Sequence, residues 1–264
     1  MAKNVLFNKV FALGGRRISI DANRVTADFD RSQVEDAGFE GRRDTVLKGP
    51  HMSDLSFAGG TSYELEIAAL PKLESDGEEV PVLLFMGNGS LGSFAATMTA
   101  LVQNFKWTGT FGELAMFEMD LAPQVRRRIG SVLFSSVGSG AVGGATLGGG
   151  VQAGALPAGS ELFVSYHVVD PPGVGGSGTR TLAAKLQSNP NNTDWSGAVD
   201  RLTIDTATTG APGAGEFLAP GAVVHRLDGD VAAVTDTWWR LNFTGVTGTG
   251  PTFFVLAAIA IRTK

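Results

Sequence analysis

Residues 135–159 read SSVGSGAVGGATLGGGVQAGALPAG, and the reading of this stretch decides how the rest of the chain is divided. It holds no charged side chain and no hydrophobic period. Glycine and serine bury little on ordering, so such a composition predicts a flexible connection. Residues 136–159 are therefore expected to link two domains, 1–135 and 160–264. The composition changes across the break. Residues 1–135 carry 14 basic and 17 acidic side chains, net −3, and the remainder carries 7 and 9, net −2, which accounts for the chain's −5. A charge-dense half followed by a charge-poor one argues against an internal duplication.

Glycine is the outlier in composition: 36 of 264 residues is roughly twice the ~7% of an average protein. No G-X-Y period accompanies it, so many short strands and turns are expected. The absence of cysteine removes disulfides, thiolate metal sites and thiol nucleophiles. Three histidines, His51, His167 and His225, lie too far apart for helical metal-ligand spacing. The N-terminal residues lack the apolar core of a secretory signal, and the longest apolar run, 253–261, is well short of the ~20 residues of a membrane helix. These features predict a soluble, non-secreted β protein without a membrane partner. A mild acidic excess disfavours a nucleic-acid binder, whose affinity comes from Lys and Arg on phosphates.

Alternation marks the strands. In the first half, Ile18 and Ile20, then Val25, Ala27 and Phe29, then Leu55 and Phe57 alternate with polar residues. Residues 82–86 form a continuous apolar run, residues 97–105 a further strand, and Ala115, Phe117, Met119 and Leu121 another. Thr61 with Glu64 has capping-box spacing, and Pro71 ends the one expected helix. Residues 34–52 look too long for a hairpin turn, and loops of this length are usually functional or disordered. In the second half, Leu162, Val164, Tyr166 and Val168 alternate, as do Leu182, Ala184 and Leu186, Leu202 and Ile204, and Trp239, Leu241 and Phe243. A final apolar strand covers 253–261. Several short strands without helical period point to a β-sandwich or jelly-roll.

Motifs that could carry chemistry read as structure. Gly87, Gly89 and Gly92 match G-x-G-x-x-G, but Thr97, Met98, Thr99 and Val102 behind them favour a strand, so a hairpin turn is expected and not a dinucleotide site. The run 143–150 lacks the Lys-Ser/Thr ending of a phosphate loop. The pairs Asp28/Asp30 and Glu118/Asp120 are spaced i, i+2, which on a strand places both carboxylates on one solvated face and not across a cleft. Arg42-Arg43 and the run 126–128 suit ion pairs at a subunit boundary. On a strand, one of Trp238 and Trp239 must face the core, leaving Trp238 as the candidate exposed aromatic. No nucleophile–base set is readable, so neither catalysis nor a cofactor is expected. The N-terminal Val5, Leu6, Phe7, Val10 and Phe11 form an apolar arm (residues 1–15) that would expose too much grease unless it docks, on a neighbouring subunit as the favoured expectation or on its own domain as the alternative.

The first half resembles the tail tube (major tail) proteins of long-tailed bacteriophages. Three stretches carry the likeness: residues 24–60, with two strands around a long loop containing Gly41-Arg42-Arg43; residues 80–107, VPVLLFMGNGSLGSFAATMTALVQNFKW; and residues 109–134, GTFGELAMFEMDLAPQVRRRIGSVLF. The resemblance implies a mainly β chain. A tail-tube-type sandwich or barrel with one short helix would be followed by an appended β-sandwich, Ig-like or jelly-roll-like, at 160–264. It implies a structural virion protein, assembled in the host cytoplasm, that polymerises as stacked hexameric rings into the tail tube. Its partners would be itself and the tape-measure, tail-terminator and distal-tail proteins. Minimal tail tube proteins lack the second half.

Such a tube needs one interface that closes a ring and one that continues along the axis. The arm and the loop, with Phe39, Arg42, Arg43, Val46 and Leu47, are the expected contacts. DNA must pass without binding, so a face bearing Asp28 and Asp30, or Glu118 and Asp120, is expected to line the lumen. The alternative is a capsid decoration or host-adhesion protein whose C-terminal domain binds a surface glycan through Trp238.

Overall fold

Val-Phe-Ala-Leu at residues 10–13 is the first element of the computed structural model, and all four residues are buried. The structure describes residues 10–17, 24–27, 33–35, 46–48, 55–61, 77, 79–85, 89–108, 115–123, 128–139, 141–143, 146–169, 180–209, 221–247 and 253–263. The chain folds as two compact units. One takes Met1–Ser19, Pro81–Thr97 and Arg128–Lys264, the other Ile20–Val80 and Met98–Arg127. This corrects the expected linear division into 1–135 and 160–264: N-terminal strands complete the fold of the C-terminal half.

The first unit is built on one long curled sheet. Its strands are β1 (Val10–Leu13), β2 (Arg16–Arg17), β7 (Val80–Phe85), the start of β8 (Phe94–Thr108), β10 (Arg128–Ser135), β13 (Ser160–Val169), β16 (Gly221–Asp228) and β18 (Phe254–Thr263). They run β16-β13-β18-β10-β8-β7-β1-β2, and β2 returns to lie against β13. A second sheet has the order β11-β17-β14-β15, from β11 (Thr146–Leu147), β14 (Arg180–Asn189), β15 (Val199–Thr209) and β17 (Trp238–Thr247), with β12 (Val151–Gln152) also on β17.

Alternation explains why this sheet has two cores. Along β13, Leu162, Val164, Tyr166 and Val168 face the second sheet, where they meet Leu182, Leu186, Ile204, Trp239, Leu241 and Phe243. This is the expected sandwich. The other face turns into the curl, whose core is Val10, Ala12, Leu83, Phe85, Ala95, Val132, Val169, Leu256 and Ala258. A β-bulge between Val132 and Phe134 lets β10 serve both, because one extra residue shifts the side-chain phase. Val132 enters the curl, while Leu133 and Phe134 enter the sandwich, with Phe134 edge-on to Phe243 at 4.9 Å.

Two expectations fail here for one reason. The stretch 136–159 is not a linker: Ser136–Ser139 is a helical turn, Val142 bridges Phe253, β11 and β12 pair with β17, and Leu156 bridges Val234. Val142, Val151 and Leu156 are buried anchors. The glycines let backbone pass close by. A Cβ on Gly148 would stand 2.9 Å from the Leu241 carbonyl oxygen, and one on Gly150 would fall 2.7 Å from the Trp195 ring. Likewise Val10 and Phe11 are not part of a free arm; they pair with Phe85 and Leu84 of β7 inside their own unit. In both stretches a few apolar residues, sparse or clustered, find their cover within the same chain.

The second unit has strands β3 (Arg24–Ala27), β6 (Leu55–Thr61), β9 (Ala115–Pro123) and the rest of β8, paired in the order β3-β6-β9-β8. Thr61, expected to cap a helix, ends β6; the remainder of that expected helix lies outside the described residues. A separate two-stranded sheet joins β4 (Gln33–Glu35) to β5 (Val46–Lys48). The expected long loop 34–52 therefore contains a hairpin, with strands too short for alternation to reveal. The chain is mainly β throughout. Of the glycine motif, Gly89 and Gly92 stand ahead of β8 at φ of 75°; Gly87 lies outside the described residues.

Candidate functional site

The residues proposed from sequence fall into three places. Val46 and Leu47 stand on β5, opposite Glu35 and Val34 of β4. Among the described residues this hairpin pairs with no other strand. Phe39, Arg42 and Arg43 belong to the connection between its strands and lie outside the described residues, as do Val5, Leu6 and Phe7.

The second place is β9. Met119 and Leu121 are buried and Asp120 between them is half-exposed, as period two requires. Asp120 accepts a hydrogen bond from Asn104 Nδ2 at 3.1 Å. Asn104 is one of two residues in the irregularity between Gln103 and Lys106 and takes φ of 52°, a left-handed conformation that asparagine tolerates. Glu118 stands opposite Lys106 in register. Asp28 and Asp30 lie outside the described residues.

The third place is the outer face of the second sheet. Trp239 is buried and donates its indole N–H to the Gly154 carbonyl at 2.7 Å; Trp238 is half-buried, opposite Asn189 and Gln152. Beside it runs a polar ladder. Lys185 Nζ and Gln187 Nε2 donate to Asp200 at 2.6 and 2.7 Å, Arg240 Nε donates to Gln187 at 3.0 Å, and the Arg240 guanidinium lies 4.2 Å from the Trp195 ring centre. The hydrogen bonds from Lys185 and then Gln187 hold the Asp200 carboxyl below the usual carboxylate range.

Other features had no counterpart in the sequence reading. Phe94 and Ile129 are exposed apolar side chains on neighbouring positions of β8 and β10, with Leu91 also exposed. Arg128, expected at a subunit boundary with its two preceding arginines, lies instead over Phe163 at 3.7 Å. The available signal was phase: Glu161 and Arg262 flank Leu162 and Ile261, so they occupy inward-facing positions at the strand ends. Among the described residues no group of three or more His, Asp or Glu is placed to hold a metal ion.

No family model matches this sequence, and no curated protein matches it. Among solved structures, partial likenesses at low TM-score are found to chains of phage and phage-like particles. A chain from the virion of a native gene transfer agent particle matches at 15% identity and TM-score 0.36, covering 48% of this chain and 98% of that one. SPP1 Dit, described as a hub adsorption apparatus in phages infecting Gram-positive hosts, matches at 8% identity and TM-score 0.33, covering 96% and 99%. A chain of the phage p2 baseplate in its activated conformation matches at 7% and 0.31, covering 97% and 98%. At these scores the likeness transfers no residue's role.

Proposed function

We propose that this protein is a structural subunit of a phage tail that joins copies of itself into rings and stacks the rings into the tube. The observation that carries this reading is the β4–β5 hairpin, which has no further strand beside it among the described residues. Open edges of this kind recruit another strand, and in a homopolymer the recruited strand comes from the next copy. The hairpin lies in the segment whose sequence resembles the long loop of tail tube proteins. Asp120, half-exposed on β9, supplies the lumen face, where negative charge keeps passing DNA from adhering. The tape-measure, terminator and distal-tail proteins are the expected partners in the virion.

A second reading has one observation in its favour. Val10–Leu13 is internal, so part of the arm expected to connect successive rings is already used within the subunit. A subunit that closes a ring without elongating, as at a tail hub, fits that fact.

Negative-stain microscopy and size-exclusion chromatography with light scattering test both. Extended tubes support the first reading and discrete rings the second; a stable trimer or monomer at all concentrations defeats both. Deleting residues 2–9, which spares β1, together with Val46→Asp and Leu47→Asp on β5, separates arm from hairpin. The hairpin variants are expected to stay folded and stop polymerising.

A further inference from the structure

The interior of the curled sheet changes character from one end to the other. Its floor is apolar, and midway Ser165 Oγ and His167 Nε2 share a hydrogen bond of 3.0 Å. At the rim, where β10 and β13 begin and β16 and β18 end, stand three arginines around Phe163. Arg128 lies 3.7 Å above the ring and Arg262 5.6 Å from its centre. Glu161, only 5% exposed, accepts from Arg226 Nη2 and, at 2.6 Å, from Arg262 Nη2. Arg226 also reaches Asp228 at 3.3 Å.

The charges do not balance. Among the described residues, both carboxylates hydrogen-bond Arg226 or Arg262, and neither hydrogen-bonds Arg128. Its Nε and Nη1 are shielded from solvent without a hydrogen-bond partner, as are Arg262 Nε and the Oγ1 of Thr97, which stands opposite Arg128 in register. Burial, and next the Arg262 charge, pull the Arg128 guanidinium below its ordinary pKa, while Glu161 works the other way. Two shielded, unmatched donors on a partly buried cation are costly unless an acceptor arrives, and a planar guanidinium matches carboxylate and phosphate oxygens best. Water would meet the donors but leave the charge.

We propose that this rim is an oxyanion site, in which Arg128, assisted by Arg262 Nε and Thr97 Oγ1, takes one carboxylate or phosphate group. The stacked Phe163 fixes the plane of the Arg128 guanidinium, and the Glu161 carboxylate spends its hydrogen bonds on Arg226 and Arg262. The group has two sources of the same chemistry: a free anion, or an Asp or Glu side chain of a second copy of this chain.

Thermal unfolding of the full-length protein, followed in inorganic phosphate and in acetate against chloride at matched ionic strength, tests the site. A free-anion site gives a saturable rise in Tm that is at least tenfold weaker in Arg128→Gln and unaltered in Lys185→Ala. A site filled by a second copy shows no response to added anion. Instead Tm rises with protein concentration, in step with the mass from light scattering, and Arg128→Gln abolishes that rise. Calorimetric titration of the unaltered protein with phosphate and acetate, with a dilution arm, decides the matter even where Arg128→Gln fails to fold. Absence of both dependences in the unaltered protein overturns the proposal, as does an equal response in a folded Arg128→Gln.

Discussion

Tyr166 and His167 are neighbours on one strand, yet they enter different interiors. Tyr166 points into the sandwich among Trp239, Leu241 and Phe243, and His167 points into the curl beside Ser165. Each has a shielded polar atom without a partner, the Tyr166 hydroxyl and His167 Nδ1. Burial drives both towards neutrality, raising the phenol and lowering the imidazole to about 3. Tyr166 otherwise sits in a cluster of hydrophobic side chains. The curl grades from an apolar floor through a polar middle to an arginine rim, and its His167 is the group whose burial opposes protonation.

The largest expected effect tests whether both are true cores. Trp239→Ala should cost about 3–5 kcal/mol in the sandwich, since it removes a fully buried indole and its bond to Gly154. Phe85→Ala, fully buried in the curl, should cost a similar ~3–5 kcal/mol. Urea denaturation of each variant measures this. A loss under about 1 kcal/mol for Phe85→Ala would mean that the curl is loosely packed and that the comparison is between a core and a cavity.

The pH dependence sharpens the contrast. His167 has an ordinary pKa of 6.5 when unfolded and about 3 when folded, so below 6.5 the unfolded chain binds the extra proton. Stability from its neutral burial is present above pH 6.5 and declines as pH falls toward 3, at up to about 1.4 kcal/mol per pH unit. Tyr166 contributes nothing in that window. In His167→Leu the slope of unfolding free energy between pH 6.5 and 4.5 should flatten, and in Tyr166→Phe it should not change. An unchanged slope in His167→Leu would show that the imidazole is not the group responsible.

The sandwich was legible in the sequence and the curl largely was not. Leu162, Val164, Tyr166 and Val168, and Trp239, Leu241 and Phe243, announce one buried face by period two. Val-Phe-Ala-Leu at 10–13 says only that something covers it, not whether the cover is the same chain or another, and no local signal pairs residue 10 with residue 85. The stretch 136–159 misleads because composition reports what glycine loses in entropy and is silent on what it permits in close approach, as at Gly148 and Gly150. The β4–β5 hairpin has strands of three residues, shorter than alternation can register. For the oxyanion rim, a run of three arginines reads as surface until register sets Arg128 across from Thr97. Only the parity of Glu161 and Arg262 hinted that charge turns inward.

The smallest effect belongs to the solvent side of the sandwich. Lys185 and Asp200 form a 2.6 Å ion pair with both side chains well exposed, and Gln187 already holds the same carboxylate. Exposed pairs lose most of their attraction to water and salt, so Lys185→Ala should change stability by about 0–1 kcal/mol, less at high salt. Gln187 is different: it links Asp200 to Arg240, and Arg240 rests on Trp195, so Gln187→Ala removes the connection between two otherwise separate groups. A double-mutant cycle of Lys185→Ala with Gln187→Ala measures their coupling at Asp200. Near-zero coupling would make this face a set of independent solvated contacts, in keeping with a sandwich whose specificity lies in its apolar side. Coupling above about 1 kcal/mol would instead show a polar network on its outer face.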